Sequence, residues 1–119
     1  MGICRIAGPF FSEAKIFLTK YLSKNPESPA GLFLLGKVYQ ELRETDLALE
    51  AYRKIKGNPE IQAKAFNNIG LVYLSRNEPE KALVEFKNSL RIHSGIPDTH
   101  YNLGKFIFPK WYIIDSNPL

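Results

Sequence analysis

The sequence predicts an all-α solenoid built from helix-turn-helix repeats. The first observation is a glycine that recurs at intervals of 34 residues, at Gly36, Gly70 and Gly104. The second is an alanine that recurs at the same interval, at Ala14, Ala48 and Ala82. The third is a large side chain four residues after each alanine, at Leu18, Tyr52 and Phe86. A period of this length is the signature of a stacked repeat protein.

Prolines and glycines mark the ends of the predicted helices, called A and B within each repeat. Ser28 and Pro29 begin a helix A, because serine caps a helix and proline fits the first helical position. Asn25-Pro26 and Gly57-Asn58-Pro59 end the helices before them. The pattern predicts helix B over 12–24, helix A over 29–42, helix B over 46–56, helix A over 60–75, helix B over 79–93, and a last helix A from 97 that fails at Pro109.

These helices give two complete repeats, 29–62 and 63–96, inside a repeat domain that covers residues 10–108. Residues 1–9 are predicted as an N-terminal stub of a truncated helix A, and residues 109–119 as an irregular apolar tail. The tail is interpreted either as a cap over the last helix A or as a truncated or spliced end, with membrane-surface contact through Trp111 and Tyr112 as a third option. Stable stacks usually need about three repeats, so self-association through the open ends stays open. So does a role as the regulatory arm of an enzyme or as a fragment of a longer repeat protein.

The small residues have a steric role in this interpretation. Two helices approach to about 8–10 Å only where the contact residues are small. Gly36 with Ala48, and Gly70 with Ala82, are therefore expected at the crossing of helices A and B within one repeat.

Composition excludes several classes of protein. The chain has 119 residues, 45% of them hydrophobic, which suits one small globular domain. No apolar run approaches the roughly 20 residues that span a bilayer, and the single Cys4 cannot form an internal disulfide. We therefore expect a cytoplasmic or nuclear protein without a membrane span.

No motif in the chain predicts catalysis, a metal or a cofactor. His93 and His100 lie seven residues apart without a third ligand at metal spacing. Glu78 and Glu80 lie in the first turn of a helix, where carboxylates offset the helix dipole. Cys4 lacks a neighbouring histidine that would activate its thiol.

The chain resembles the tetratricopeptide-repeat family, whose pattern runs Trp, Leu-Gly, Tyr, Ala, Phe, Pro. The third repeat matches it at Phe66, Ile69, Gly70, Tyr73, Ala82 and Phe86, with Ser94 in place of the proline. The second matches it at Leu32, Leu35, Gly36, Tyr39, Ala48 and Tyr52, with Pro59 one residue early. The first keeps only Ala14, Leu18 and Pro26. The resemblance covers about residues 10–108 and identifies a superfamily rather than one member.

This resemblance implies a non-catalytic adaptor or scaffold whose A helices line a concave groove for a peptide segment or helix of another protein. Register gives the groove residues Phe33, Lys37, Gln40, Lys64, Asn67, Asn68, Leu71, Tyr101, Asn102 and Lys105. Asn68 and Asn102 lie one period apart, so they either pair with the backbone of a bound strand, as in the similar repeats of O-GlcNAc transferase, or bridge neighbouring helices.

Two further ligands are considered for the groove. Chaperone-binding members of the family hold a C-terminal carboxylate with Lys, Arg and Asn, but of Phe33, Lys37, Asn68, Asp98 and Asn102 only Asn68 agrees, which argues against such a clamp. The net charge of +4 makes RNA binding through Lys37, Lys64 and Lys105, with Phe33 and Tyr101 as stacking surfaces, the alternative function. Acids are interleaved with most of the basic residues, which is typical of solvated helix faces.

Overall fold

The computed structural model describes residues 2–107, and within them it contains helices and no strand. The helices are α1 (Gly2–Lys24), α2 (Pro29–Glu41), α3 (Thr45–Arg53), α4 (Pro59–Ser75), α5 (Pro79–Ile92) and α6 (Pro97–Asn102), followed by a short π-helix (Leu103–Ile107). The predicted all-α repeat fold is confirmed. The predicted apolar tail, 109–119, lies outside the described residues.

Helix starts follow the capping residues of the sequence. The Ser28 Oγ accepts a hydrogen bond from the Gly31 backbone nitrogen at 3.1 Å, and the Asn58 Oδ1 accepts one from that of Ile61 at 3.0 Å. Each of these caps satisfies a backbone donor that the first turn leaves unpaired. Proline follows both caps at the first helical position, where its missing N–H costs no hydrogen bond.

The turn between helices A and B is the same in both complete repeats. Arg43 and Asn77, which lie 34 residues apart, have φ of 65° and 64°. The next residue closes each turn, since the Glu44 nitrogen donates to the Tyr39 oxygen and the Glu78 nitrogen to the Tyr73 oxygen, both at 2.9 Å. The 34-residue period therefore repeats in the backbone conformation as well as in the side chains.

The two ends of the described chain differ from the sequence interpretation. The stub and the helix expected from residue 12 form one continuous helix, α1, which passes through Pro9 although proline removes one backbone hydrogen bond there. The helix expected from 97 as far as Pro109 is α-helical only to Asn102 and continues as a π-helix.

Helices A and B cross where the small residues lie. Ala48 and Ala82 are completely buried, the Tyr52 ring lies against Gly36, and the Phe86 ring lies against Gly70. The pairs α2–α3 and α4–α5 form the two complete repeats, and α2, α4 and α6 pack side by side as the layer of A helices. This layer supplies the surface on which the predicted groove residues lie.

Two arginines connect consecutive repeats. On α3, Arg53 donates from Nη2 to Glu85 Oε2 at 2.9 Å and to the Tyr73 hydroxyl at 3.2 Å. Burial is the largest single influence and lowers the pKa of Arg53, but the hydrogen bonds and charges of Glu85 and Tyr73 together outweigh it. The pKa of Arg53 is therefore raised, and the guanidinium stays charged. At the end of α4, Arg76 contacts Thr45 Oγ1 at 2.7 Å and Asp46 Oδ1 at 2.5 Å.

Within residues 2–107, no helix combines the length and the apolar composition that crossing a membrane requires.

Candidate protein-binding groove

The predicted groove residues fall on three helices and the π-helix, and they differ in exposure. Those accessible to a ligand are the exposed Lys37, Lys64, Tyr101 and Lys105 and the half-buried Phe33, Gln40, Asn68 and Leu71. Asn67 and Asn102 are buried, at 5% and 7% exposure. On α2, Phe33, Lys37 and Gln40 are spaced by four and three residues, which places them on one face of the helix.

Five side chains form a hydrogen-bonded line beneath this surface, here called the amide chain: Gln40, Tyr52, Asn68, Asn67 and Asn102. The Tyr52 hydroxyl donates to Gln40 Oε1 and accepts from Asn68 Nδ2 at 3.3 Å. Tyr52 belongs to α3, but its hydroxyl lies where α2 and α4 meet. The amide chain therefore joins the two complete repeats on their A-helix side.

The amide chain continues toward α6. Asn67 Nδ2 lies 3.5 Å from Asn68 Oδ1, and Asn102 Nδ2 donates to Asn67 Oδ1 at 2.8 Å. Asn102 thus bridges neighbouring helices, which is one of the two roles that the sequence left open for it. The buried hydrogen bond between Asn67 and Asn102 holds α6 beside α4. The amides of the groove that a ligand can reach are therefore those of Gln40 and Asn68.

Tyr52 is a residue of the candidate groove that the sequence analysis did not select. Burial raises its pKa, the negative charge of Glu41 raises it further, and the hydrogen bond from Asn68 partly offsets both. The hydroxyl therefore stays neutral and acts as both donor and acceptor at physiological pH. The signal in the sequence is that the equivalent position is Leu18 in one repeat and Phe86 in another, so that only Tyr52 adds a polar atom.

Lysines lie over aromatic rings at both ends of the groove. Lys37 Nζ is 5.6 Å from the centre of the Phe33 ring, and Lys105 Nζ is 5.3 Å from that of Tyr101 and 5.1 Å from that of Phe106. Such contacts are weakly attractive at exposed sites. They hold the ammonium groups close to apolar surface, which gives the groove one lysine with one ring at the Lys37 end and one lysine with two rings at the Lys105 end.

Acidic side chains interrupt the basic ones on the same helices. Lys64 Nζ is 3.7 Å from Glu60 Oε2 within α4, and Glu41 and Asp98 are exposed on α2 and α6. The predicted stripe of Lys37, Lys64 and Lys105 is therefore a mixed-charge surface. A surface of this kind suits a peptide that carries both signs better than a uniformly anionic polymer.

The two histidines have local partners. His93 Nδ1 lies 3.3 Å from the Gly95 nitrogen, and His100 Nε2 lies 2.9 Å from the Ser94 oxygen. In the described part of the chain, no three His, Cys, Asp or Glu side chains are grouped closely enough to hold a metal ion.

Known proteins are similar to the repeat region of this chain. Residues 30–57, which include α3 and all but the first residue of α2, match the family model of the tetratricopeptide repeat. The chain is also 36% identical over 59 residues to a TPR repeat-containing protein of Methanocaldococcus jannaschii, over 50% of this chain and 18% of that protein. These matches support a tetratricopeptide-repeat superfamily protein.

Two further tetratricopeptide relatives have names that state a role. The chain is 33% identical over 76 residues to the photosystem I assembly protein Ycf3 of Parasynechococcus marenigrum, over 64% of this chain and 41% of that protein. It is 34% identical over 77 residues to the intraflagellar transport protein 70A2 of Rattus norvegicus, over 64% of this chain and 12% of that protein. The matches thus span less than half the length of each of these relatives.

Tetratricopeptide-repeat proteins generally act as adaptors or scaffolds in protein interactions, and they are generally non-catalytic. This general role agrees with a surface built from aromatic rings, lysines and amides.

Proposed function

We propose that this protein is a non-catalytic adaptor or scaffold that binds a peptide segment or a helix of a partner protein across its A helices. The amide chain is the observation that carries the proposal. Gln40 uses its oxygen and Asn68 one of its N–H groups in the contact with Tyr52. An amide nitrogen carries two hydrogens, so both side chains keep N–H groups that can donate to the carbonyls of a bound peptide.

The side chains around these amides support a peptide ligand. Phe33 and Leu71 are half-buried apolar neighbours, and Lys64, Tyr101 and Lys105 are exposed along the same layer of helices. A peptide that places apolar residues on the former and acidic or aromatic residues on the latter would use both. By their names, two relatives take part in assembling or transporting other components, which also supports a scaffold role.

A capture experiment with two matched variants tests this proposal. The groove variant carries Lys64→Ala, Tyr101→Ala and Lys105→Ala, and the control variant carries Lys54→Ala, Val84→Ala and Lys87→Ala at exposed positions on the B-helix side. Each variant loses two lysines and one exposed large side chain, so that the net charge changes by the same amount. Lys37 stays unchanged in both variants because it also borders the groove between α1 and α2.

Proteins and RNA captured from a lysate are identified side by side. We expect protein partners that are bound by the wild type and the control variant and lost from the groove variant. Partners that bind all three chains equally would contradict the proposal. Capture of RNA with a steep dependence on salt would favour the alternative function, because each phosphate contact releases counterions.

A further inference from the structure

An open groove lies between α1 and α2, at the end of the molecule away from α6. Its volume is about 520 Å³, and its walls include Ala14, Phe17 and Leu18 of α1 and Leu34 of α2. Phe17 is 69% exposed and Leu34 50% exposed, so two large apolar side chains of this groove face solvent. Exposed apolar surface of this kind marks an interaction site when it is contiguous.

The repeat itself shows what covers this surface one unit later. The residues that lie 34 positions after Ala14, Leu18 and Leu34 are Ala48, Tyr52 and Asn68. At those positions α2 lies over the surface, with Gly36 against the Tyr52 ring and Gln40 accepting from its hydroxyl. Ala48 is completely buried as a result, whereas Ala14 is only partly buried.

The groove is thus the position that a helix A of the first repeat would occupy. Among residues 2–107 no helix occupies it, because the segment that precedes residue 12 continues α1. The wall of this groove resembles the equivalent surface of the next repeat in shape but differs from it in chemistry. The hydrogen-bonded pair Tyr52 and Asn68 is replaced by Leu18 and Leu34, so this position takes an apolar helix face.

We propose that the groove between α1 and α2 binds one amphipathic helix of a partner protein, in the position of helix A of the first repeat. The proposal goes beyond the function proposed above, because this helix lies beside α2 as part of the layer of A helices instead of across it. The bound helix completes the first repeat in the way that α2 completes the second.

The groove also defines which helix fits. A small residue fits opposite Leu18, by analogy with Gly36 and Gly70, which lie against Tyr52 and Phe86. Apolar residues on the same face contact Phe17 and Leu34. Lys37 and Glu41, which are exposed one turn apart on the α2 wall, favour an acidic and a basic residue on the flank of the bound helix.

The probe for this proposal is a fluorescently labelled peptide with the sequence of α4, residues 59–75, because it carries the helix A pattern of this chain with Gly70 as its small residue. Fluorescence anisotropy measures its binding to the full chain. We expect saturable binding that also raises the melting temperature of the chain. A peptide with Gly70→Leu should bind about tenfold or more weakly, since the leucine overfills the crossing.

Two variants of the chain locate the binding. Leu34→Asp and Phe17→Asp each place a carboxylate on the apolar wall, so each should weaken binding about tenfold or more. Val84→Asp makes the same kind of change at a 55% exposed position on α5 and should leave binding unchanged. Because Leu34 and Phe17 are exposed, we expect both variants to keep the wild-type helix content in circular dichroism.

Three results would overturn the proposal. The first is that the wild type does not bind the peptide. The second is equal binding by wild type, Leu34→Asp and Phe17→Asp. The third is a wild-type dimer in sedimentation that Leu34→Asp converts to a monomer, because the groove would then hold a second copy of the chain. None of these results bears on Lys64, Tyr101 or Lys105, so the function proposed above is tested separately.

Discussion

Gly36 and Gly70 each leave room for an aromatic ring from the next helix. A Cβ at Gly70 would lie 2.5 Å from Cε1 of Phe86, and one at Gly36 would overlap the ring of Tyr52 in the same way. Both rings are buried and cannot move aside easily. We expect Gly36→Ala or Gly70→Ala to lower the free energy of unfolding by about 1–3 kcal/mol, although alanine is the better helix former. Urea unfolding measures the change.

Gly104 is the control for this prediction. It holds the same place in the 34-residue register, but a Cβ there would have nothing within 4 Å. Gly104→Ala should therefore leave stability unchanged or slightly higher. Equal losses at Gly104 and Gly70 would mean that helix packing does not explain the glycines.

The Tyr52 hydroxyl makes a second prediction at the residue scale. Tyr52→Phe removes the group that bonds Gln40 and Asn68, and we expect a loss of about 0.5–1.5 kcal/mol in the free energy of unfolding. The loss is modest because both amides are half-buried and can bond to water instead. Phenylalanine already occupies the equivalent position, Phe86, so the ring itself fits.

The same hydroxyl predicts a pH dependence. Burial raises the pKa of Tyr52 in the folded chain above the value of about 10 that tyrosine has when unfolded. Below pH 10 the group is neutral in both states and its contribution is complete. Above pH 10 only the unfolded state loses the proton, so stability falls as the pH rises. The advantage of wild type over Tyr52→Phe should therefore shrink between pH 9 and about pH 11, and a constant difference would contradict the assignment.

The sequence alone predicted the positions of some of these residues but not the burial of others. The register placed Gly36, Gly70 and their alanine partners at the helix crossings, because that contact is repeated and local. It did not reveal that Asn67 and Asn102 are buried. Their hydrogen bond joins residues 35 positions apart and depends on how α6 packs against α4. A repeat pattern fixes which face a residue lies on, but the depth to which neighbouring helices bury that face follows from long-range packing.

At the scale of the helices, the turns of both repeats need a left-handed residue. Asparagine adopts this conformation readily at position 77, whereas for Arg43 a φ of 65° is sterically less favourable. We expect Arg43→Gly to raise the free energy of unfolding by about 0.5–1 kcal/mol, and Asn77→Gly to change it little. Thermal unfolding of both variants compares them directly. Destabilisation by Arg43→Gly would show that the arginine side chain contributes more than its backbone costs.

Ser89 joins three helices. Its Oγ donates to the Ala63 oxygen of α4 at 2.7 Å and lies 2.9 Å from Thr99 Oγ1 of α6, and both hydroxyl residues are completely buried. Ser89→Ala leaves the Thr99 hydroxyl without this partner, and we expect a loss of about 1–3 kcal/mol. Adding Thr99→Val should recover part of this loss, because it removes the second polar group. Additive losses in the double variant would contradict the pairing.

Most helices were predictable from the sequence, but the helices at the two ends of the described chain were not. Ser28, Pro29 and Pro79 mark helix starts through local chemistry, so the bounds of α2 and α5 came within about one residue. The full length of α1 and the π-helix at Leu103–Ile107 were missed. At both places the repeat pattern weakens, and Pro109, where the last helix was expected to end, lies outside the described residues.

For the whole molecule, the two proposed binding surfaces lie in different places and differ in chemistry. The A-helix groove runs across α2, α4 and α6 over the amide chain, and the groove between α1 and α2 lies at one end of the same layer. The first offers hydrogen bonds to a backbone, and the second offers an apolar position for one helix. A scaffold that holds two partners at once would need this kind of separation.

We propose that a partner lies across the A helices over the amide chain. The most direct test of this is an NMR titration of the isotope-labelled chain with a segment of a captured partner, followed through backbone and side-chain amide shifts. We predict the largest shifts at Lys64, Asn68 and Tyr101, including the Asn68 side-chain amide, with α3 and α5 little changed. Shifts concentrated on the exposed faces of α3 and α5, with the Asn68 amide unmoved, would contradict it.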